Sequence, residues 1–383
     1  MKPILGITIG DPAGIGPEIT LKAMACQKIL EVCSPVAVGD KKVLENALKI
    51  TKIKKKLIAV KEGSLKETLA HLEKDALPYI DMEIFKEDNW EFGKVDAGCG
   101  DAGFQFIKKG ITLAMEGILD GVVTGPINKE ALNLAGHHFS GHTEIFAHYT
   151  GAKTYRMVLT GEKLRVIHVT THASIRKVCD MVKKDRIYDT ICLADETLRL
   201  LGIDSPRIGV AGFNPHCSEG GLFGDEEALE IIPAIEAAQK AGIRVIGPVS
   251  PDTVFVKALG GAYDMVVAMY HDQGHIPLKL CGFKMDAGTG AFTSMSGVNC
   301  TVGLPIIRTS VDHGTAFEVA GTGKANEESM IDALHMAAVM ARGREKRQLS
   351  LIHISCTHGA GLLDDRLDDF LHKPEQKRKR GQL

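Results

Sequence analysis

Three histidines stand at comparable points of the chain. His172 closes the run VIHVTTH, His216 falls in NPHCSEGG just after a run ending at Phe213, and His271 falls in YHDQGH after the run MVVAM. Each follows an apolar run that reads as a strand, and α/β proteins place their sites beyond the carboxyl ends of strands. A lone histidine is more often structural than functional. Three in equivalent positions shift that balance toward an open metal site, in which neutral imidazoles hold Zn²⁺ or a similar ion and leave room for substrate oxygens. Asp272 and Glu219 are candidates for fixing the imidazole tautomers. Neither HxH nor HExxH spacing occurs, so position rather than spacing carries this reading.

A second group suits anions. His142 and Thr143, in GHTE, stand before an amphipathic stretch, and Lys279, Asn299 and Arg308 follow in largely apolar surroundings. Lys and Arg together suit a phosphate and a carboxylate; the plainer reading of each is a solvated charge, which the apolar context weakens. Two Gly-rich segments complete the set. GDPAGIGPE at 10–18 is either a turn that aims backbone N–H groups at an anion or a plain tight turn. SVDHGTAFEVAGTGKAN at 310–326 would let backbone approach a nucleotide. The only literal GxGxxG, Gly98 to Gly103, follows a polar stretch rather than a buried strand and reads as a chance match.

These residues need a frame, and the apolar pattern supplies one. Strands are expected at 4–9, 36–39, 57–60, 121–124, 155–160, 164–169, 207–213, 243–246, 265–269 and 306–309, several of them rich in Val and Ile as buried parallel strands are. Helical periodicity lies between them, at 41–50 with Asp40 as N-cap, at 185–201, at 225–241 and from about 326 to 342. This alternation predicts an α/β protein with its sheets covered on both faces. Residues 62–103 read as polar and irregular, and 348–383 as a tail whose functional meaning is open.

The bulk numbers exclude several classes. Hydrophobic residues make up 44% and charged residues 25%, with a formal net charge of -2, so neither a nucleic-acid nor a membrane surface is indicated. No stretch approaches a membrane span, and no targeting segment is read at the start. The nine cysteines include no CxxC pair, which suits reduced thiols in the cytoplasm.

In this order, GDPAGIGPE, TGPINK, GHTE, TTH, NPHCSEGG, PDT, YHDQGH and GLPIIRTSVDHGTAFEVAG resemble the 4-hydroxythreonine-4-phosphate dehydrogenase family over roughly residues 4 to 342. The resemblance implies a metal held by His172, His216 and His271, substrate bound at His142, Thr143, Lys279, Asn299 and Arg308, and a homodimer with shared active sites. The opening motif and the last Gly-rich loop also look like those of isocitrate and isopropylmalate dehydrogenases. By that likeness the fold has two α/β/α domains and is not a Rossmann fold, and His313, Gly314, Thr315, Ala316 and Asn326 are the NAD or NADP candidates. Residues 1–129 with 302–347 would form the domain bearing the cofactor loop, and 130–301 the domain bearing most metal and substrate residues.

The implied reaction is NAD(P)-linked oxidation and decarboxylation of 4-hydroxythreonine 4-phosphate to 3-amino-2-oxopropyl phosphate, in pyridoxal phosphate biosynthesis. One divalent ion per subunit (Zn, Mg, Co or Mn) would acidify the hydroxyl. The segment HIPLK and an apparent insertion at 284–297 look closer to a branch acting on D-threonate or D-erythronate 4-phosphate. A metal-dependent phosphate-ester hydrolase and a non-catalytic sensor of phosphorylated acids are the readings from other classes.

Overall fold

In the computed structural model, described for residues 2–86, 90–161, 163–288, 292–295 and 297–357, the chain is an α/β protein built on one large mixed sheet. Met1–Gly343 form one compact unit and Arg344–Leu383 a second, of which residues up to Thr357 are described and are helical. The predicted tail therefore lies partly outside the described residues, and the final helix, Glu328–Thr357, runs well past the expected end near 342.

The strands are β1 (Ile4–Thr8), β2 (Ser34–Gly39), β3 (Lys56–Ala59), β4 (Ala76–Asp81), β5 (Gly121–Thr124), β6 (Arg156–Thr160), β7 (Arg165–His168), β8 (Ile208–Ala211), β9 (Val245–Val249), β10 (Met265–Ala268), β11 (Phe283–Met285), β12 (Phe292–Met295), β13 (Val298–Val302) and β14 (Arg308–Val311). Among the described residues, twelve of them form the large sheet in the order β3-β4-β2-β1-β5-β14-β13-β6-β7-β10-β8-β9, while β11 and β12 pair separately. The outer parts are parallel. At the centre, β13 runs antiparallel to both β14 and β6, and β6 antiparallel to β7.

Alternation along the strands divides the core. Leu5, Ile7 and Ile9 pack to one side with the helices Gly16–Ala25 and Lys41–Thr51, whereas Ile4, Val36 and Val38 pack to the other with the helix Ala97–Met115. Asp40 caps its helix as expected, accepting from Lys42 N at 2.9 Å. The 98–103 glycines lie inside the helix Ala97–Met115. A Cβ at Gly100 would come within 2.2 Å of Ala131 O, so Gly100 serves close helix packing, and the segment is helix and not a nucleotide turn.

Three expectations are corrected. Residues 76–81 are a buried strand, although Pro78 and charged neighbours hid it. Strand β14 begins at Arg308, later than expected, and β13 was not foreseen. The 284–297 insertion contributes to the β11–β12 hairpin, with 289–291 and 296 outside the described residues.

His168, at the end of β7, is wholly buried, and burial, reinforced by the nearby His275, pulls its pKa down to about 3. Its folded value lies below the unfolded value of about 6.5, so its contribution to stability is complete above that pH and is lost as pH falls toward 3. Denaturant unfolding at pH 7 and at pH 4.5 is expected to show a steep loss for the wild type. In His168→Phe the dependence should be shallower by up to about 1.4 kcal/mol per pH unit, and equal slopes would contradict a buried neutral imidazole.

Candidate active site

Strands β7, β10 and β8 are parallel neighbours in that order, and His172, His271 and His216 lie just beyond their carboxyl ends. The rings of His172 and His271 are 5.7 Å apart between centroids. Burial, opposed by Glu144 and reinforced by His271 and Lys129, lowers the pKa of His172, so it is a neutral imidazole able to act as a ligand. Asp272 Oδ1 lies 2.7 Å from His271 Nδ1, which leaves Nε2 as the free nitrogen when Nδ1–H donates. The tautomer-fixing role expected of Asp272 is thus geometrically satisfied; Glu219 is exposed on its loop.

His216 is placed differently. It opens a stretch of four consecutive residues, His216 to Glu219, with φ of 52, 57, 66 and 47°. Left-handed backbone costs non-glycine residues roughly 1–2 kcal/mol each. Glu227, 3% exposed, braces this loop. It accepts hydrogen bonds from Phe213 N at 2.8 Å, Asn214 N at 2.7 Å, Asn214 Nδ2 at 2.9 Å, and the Ser218 hydroxyl. Burial would raise its pKa, but the bonds from Ser218 and Asn214 bring it below the ordinary value. Among the described residues, no three His, Cys, Asp or Glu side chains come together as a metal-holding group. One chain thus brings the rings of His172 and His271 together without completing a three-ligand group among the described residues.

The anion residues converge where β13 and β14 meet. Thr301 and Arg308 are directly opposite in that antiparallel register, and Asn299 lies two residues back on the same face of β13. Arg308 is 2% exposed and donates to Thr301 Oγ1 at 2.9 Å and to Thr124 Oγ1 at 2.8 Å. Its partners are hydroxyls, and its Nε is enclosed without a partner. Burial lowers its pKa to about 10, which leaves it cationic at neutral pH. Thr143 Oγ1 lies 3.3 Å from Thr301 Oγ1. Burial and the neighbouring Arg308 hold His142 neutral, with Nε2 unpartnered. Lys279 lies over the Phe283 ring at 5.1 Å and is close enough to lower the pKa of Asp312, which burial raises overall.

The two Gly-rich segments touch each other. Ile15 N donates to Thr315 O at 3.0 Å, and a Cβ at Gly14 would come within 2.9 Å of the Thr315 side chain. Backbone N–H groups of Asp11, Ala13, Gly14 and Ile15 are all taken by protein acceptors. GDPAGIGPE is therefore a tight turn rather than an anion cradle. Its helix braces the 313–326 loop: Glu18 Oε1 accepts from Gly321 N at 2.7 Å, and Lys22 Nζ donates to Gly323 O at 2.9 Å and to Ala325 O. In the loop, His313 Nδ1 lies 3.0 Å from Gly314 O with Nε2 buried and unpartnered, and Ala316 has φ 43°. Asn326 is exposed and accepts from Glu328 N at 2.7 Å, capping the last helix.

Buried polar atoms without protein partners are able to take hydrogen bonds from a ligand. Those of His142, Asn299, Arg308, Asp312 and His313 belong to this region, so the pocket fits an acid bearing several oxygens. The orphaned His313 and the braced loop fit a nucleotide, and the imidazoles of His172 and His271 fit two of three metal positions. Thr301, Glu227, Glu18, Lys22 and Asp312 escaped the sequence reading. Thr301 had a signal, since it shares strand alternation with Asn299; the others act through contacts distant in sequence.

Comparison with known proteins gives three concordant findings. The family described as pyridoxal phosphate biosynthetic protein PdxA matches residues 31–337. A D-threonate 4-phosphate dehydrogenase from Pectobacterium atrosepticum is 45% identical over 89% of this chain and 100% of its own length. The crystal structure of a 4-hydroxythreonine-4-phosphate dehydrogenase from Klebsiella pneumoniae is similar with a TM-score of 0.77 and 44% identity, over 89% of this chain and 98% of that one.

Replacing Lys279 or Arg308 by Ala should weaken binding of an anionic substrate by about ten- to hundredfold, since a charge-assisted contact contributes roughly 1.5–3 kcal/mol. Measured substrate affinity should fall in both variants, and no change in either would place the anion elsewhere.

Proposed function

This chain belongs to the family of the pyridoxal phosphate biosynthetic protein PdxA, and from that premise we propose that it oxidises and decarboxylates a small 4-phosphorylated 3-hydroxy acid with NAD or NADP. The carrying observation is Arg308, a buried cation whose side-chain hydrogen bonds go to the hydroxyls of Thr301 and Thr124, set among polar atoms that lack partners. Such a cation calls for an anionic ligand, because burying an unpaired charge costs several kcal/mol.

Lys279 and Arg308 would bind the carboxylate and phosphate, with His142, Thr143 and Asn299 supplying neutral hydrogen bonds. In the reaction, the C3 hydroxyl loses its proton and the C3 hydrogen leaves as hydride. The C1–C2 bond then breaks to release CO₂, and its electron pair stays on C2 until a proton is added. Asp312 Oδ2, enclosed and unpartnered, is suited to hold one of these protons. His172, His216 and His271 would hold a divalent ion (Zn, Mg, Co or Mn), and His313, Gly314, Thr315, Ala316 and Asn326 would line the nucleotide. When bound, the ion supplies Lewis acidity and the nicotinamide accepts the hydride.

We assign residues 1–129 with 302–347 to the half that carries the nucleotide loop and 130–301 to the half with most metal and substrate residues. The sheet order supports this, since β3, β4, β2, β1, β5 and β14 lie to one side of β13. We also assign a homodimer with shared sites. Among the described residues one chain completes no three-ligand group, and Ile276 and Leu280, on the helix His271–Gly282, are 65% and 82% exposed. The free thiols among the described residues support a reducing, cytoplasmic setting. Among the described residues no helix is long and apolar enough to cross a membrane.

The family match and the solved relatives support 4-hydroxythreonine 4-phosphate as substrate. The curated relatives at 43–46% identity support a second reading, D-threonate 4-phosphate. Both acids share the phosphate, the 3-hydroxyl and the carboxylate, and differ at C2. Steady-state kinetics with both acids and D-erythronate 4-phosphate, each with NAD and NADP, will rank them. A preference above tenfold in kcat/KM, about 1.4 kcal/mol, assigns the substrate, and no NAD(P)H from any of them would sink the dehydrogenase reading.

Shared sites make a second prediction. Mixing inactive His216→Ala and His271→Ala subunits should restore roughly a quarter of wild-type turnover, because half of the dimers are mixed and each has one intact site. A mixture as inactive as its components would mean that each chain builds its site alone.

A further inference from the structure

The helix His271–Gly282 carries a histidine that the proposed reaction does not use. His275 lies one turn after His271, so both side chains project from one face. Their rings are stacked, 3.6 Å between centroids and 12° between planes. His275 Nδ1 is 2.9 Å from the carbonyl oxygen of His271, an acceptor only, so Nδ1 carries the hydrogen and donates it. The residue is 7% exposed.

Behind it stands His168, with a ring centroid 4.7 Å from that of His275 and Nδ1 3.3 Å from Met157 O. The helix reaches this position because residue 274 is glycine. A Cβ there would sit 2.4 Å from His168 Nε2. Three imidazoles thus form a column from the sheet, through the helix, to the cleft.

His271 is held in two ways. Its edge meets Asp272, whose side chain is 71% exposed. An exposed ion-pair contact is screened and fixes a side chain weakly. Its face lies on His275, which is buried and pinned by its own hydrogen bond and by His168. The face contact is the stiffer of the two. A leucine would fill the same space without offering a flat surface.

We infer that His275 is a positioning residue: stacked on His271 and backed by His168, it fixes the plane of the His271 ring and so the direction of the nitrogen offered to the metal. This rests on the assignment of His271 to the metal. His275 does not itself face a ligand with Nδ1, which is spent on the helix backbone.

The test is cobalt binding to the full-length protein after chelation, by calorimetry and by the visible spectrum of bound Co²⁺, alongside thermal unfolding. His275→Leu is expected to weaken cobalt binding ten- to hundredfold, as loss of groups orienting a ligand does, and to alter the spectrum. His275→Phe, which restores a flat ring, should recover most of the affinity. Wild-type affinity and spectrum in a folded His275→Leu protein would make His275 core filling only and overturn the inference. If His275→Leu does not fold, the Phe variant decides against His275→Gln, which keeps a donor but loses the ring. Equal affinities in those two would overturn it as well. His271→Ala separates the premise: undiminished cobalt binding there would remove the metal assignment itself, whatever the His275 variants do.

Discussion

The cleft is organised around one buried charge. Arg308 is buried at the start of β14, and its guanidinium meets two threonine hydroxyls instead of a carboxylate. Removing a cation from water costs several kcal/mol when no counter-ion accompanies it. The fold bears that cost because the surrounding strands leave Arg308 little choice of direction. It is paired across to Thr301 on β13 and beside Val122 on β5, so its side chain enters at a fixed angle. Neutral His142 beside it adds no competing charge. An anionic ligand would gain charge-assisted hydrogen bonds from this guanidinium.

The antiparallel strand β13 makes this arrangement possible. It runs against β14 on one side and β6 on the other, joining two largely parallel regions. Antiparallel pairing sets residues directly opposite, with close side chains. That is how Asn299 and Thr301 come to share one surface with Arg308, which Thr143 reaches from the helix His142–Thr150. A wholly parallel sheet would have needed a crossover at this point.

The Gly-rich opening motif and the loop at 313–326 act as one body. The turn spends its backbone donors internally and on Thr315, while Glu18 and Lys22 hold the loop further along. A loop rich in glycine is entropically expensive to order, and this helix limits its freedom. On the opposite side, Glu227 does the same for the strained turn at His216.

Much was legible in the sequence because strands, caps and terminal positions are local properties. Val- and Ile-rich runs marked most of the strands, Asp40 marked a helix start, and His172, His216 and His271 follow strand ends as read. What the sequence could not determine depends on contacts between distant segments. Strand β4 was hidden because Pro78 and polar flanks mask a burial imposed by its neighbours β2 and β3. The direction of β13 is set by pairing partners and not by its own residues. Residue types alone made Arg308 a candidate ligand, but only burial beside Thr124 and Thr301 made it a cation in want of an anion. Likewise, sequence named three histidines as equals, whereas packing brought the rings of His172 and His271 together and set His216 on a left-handed turn. Local chemistry travels with the residue; solvation and pairing belong to the folded chain.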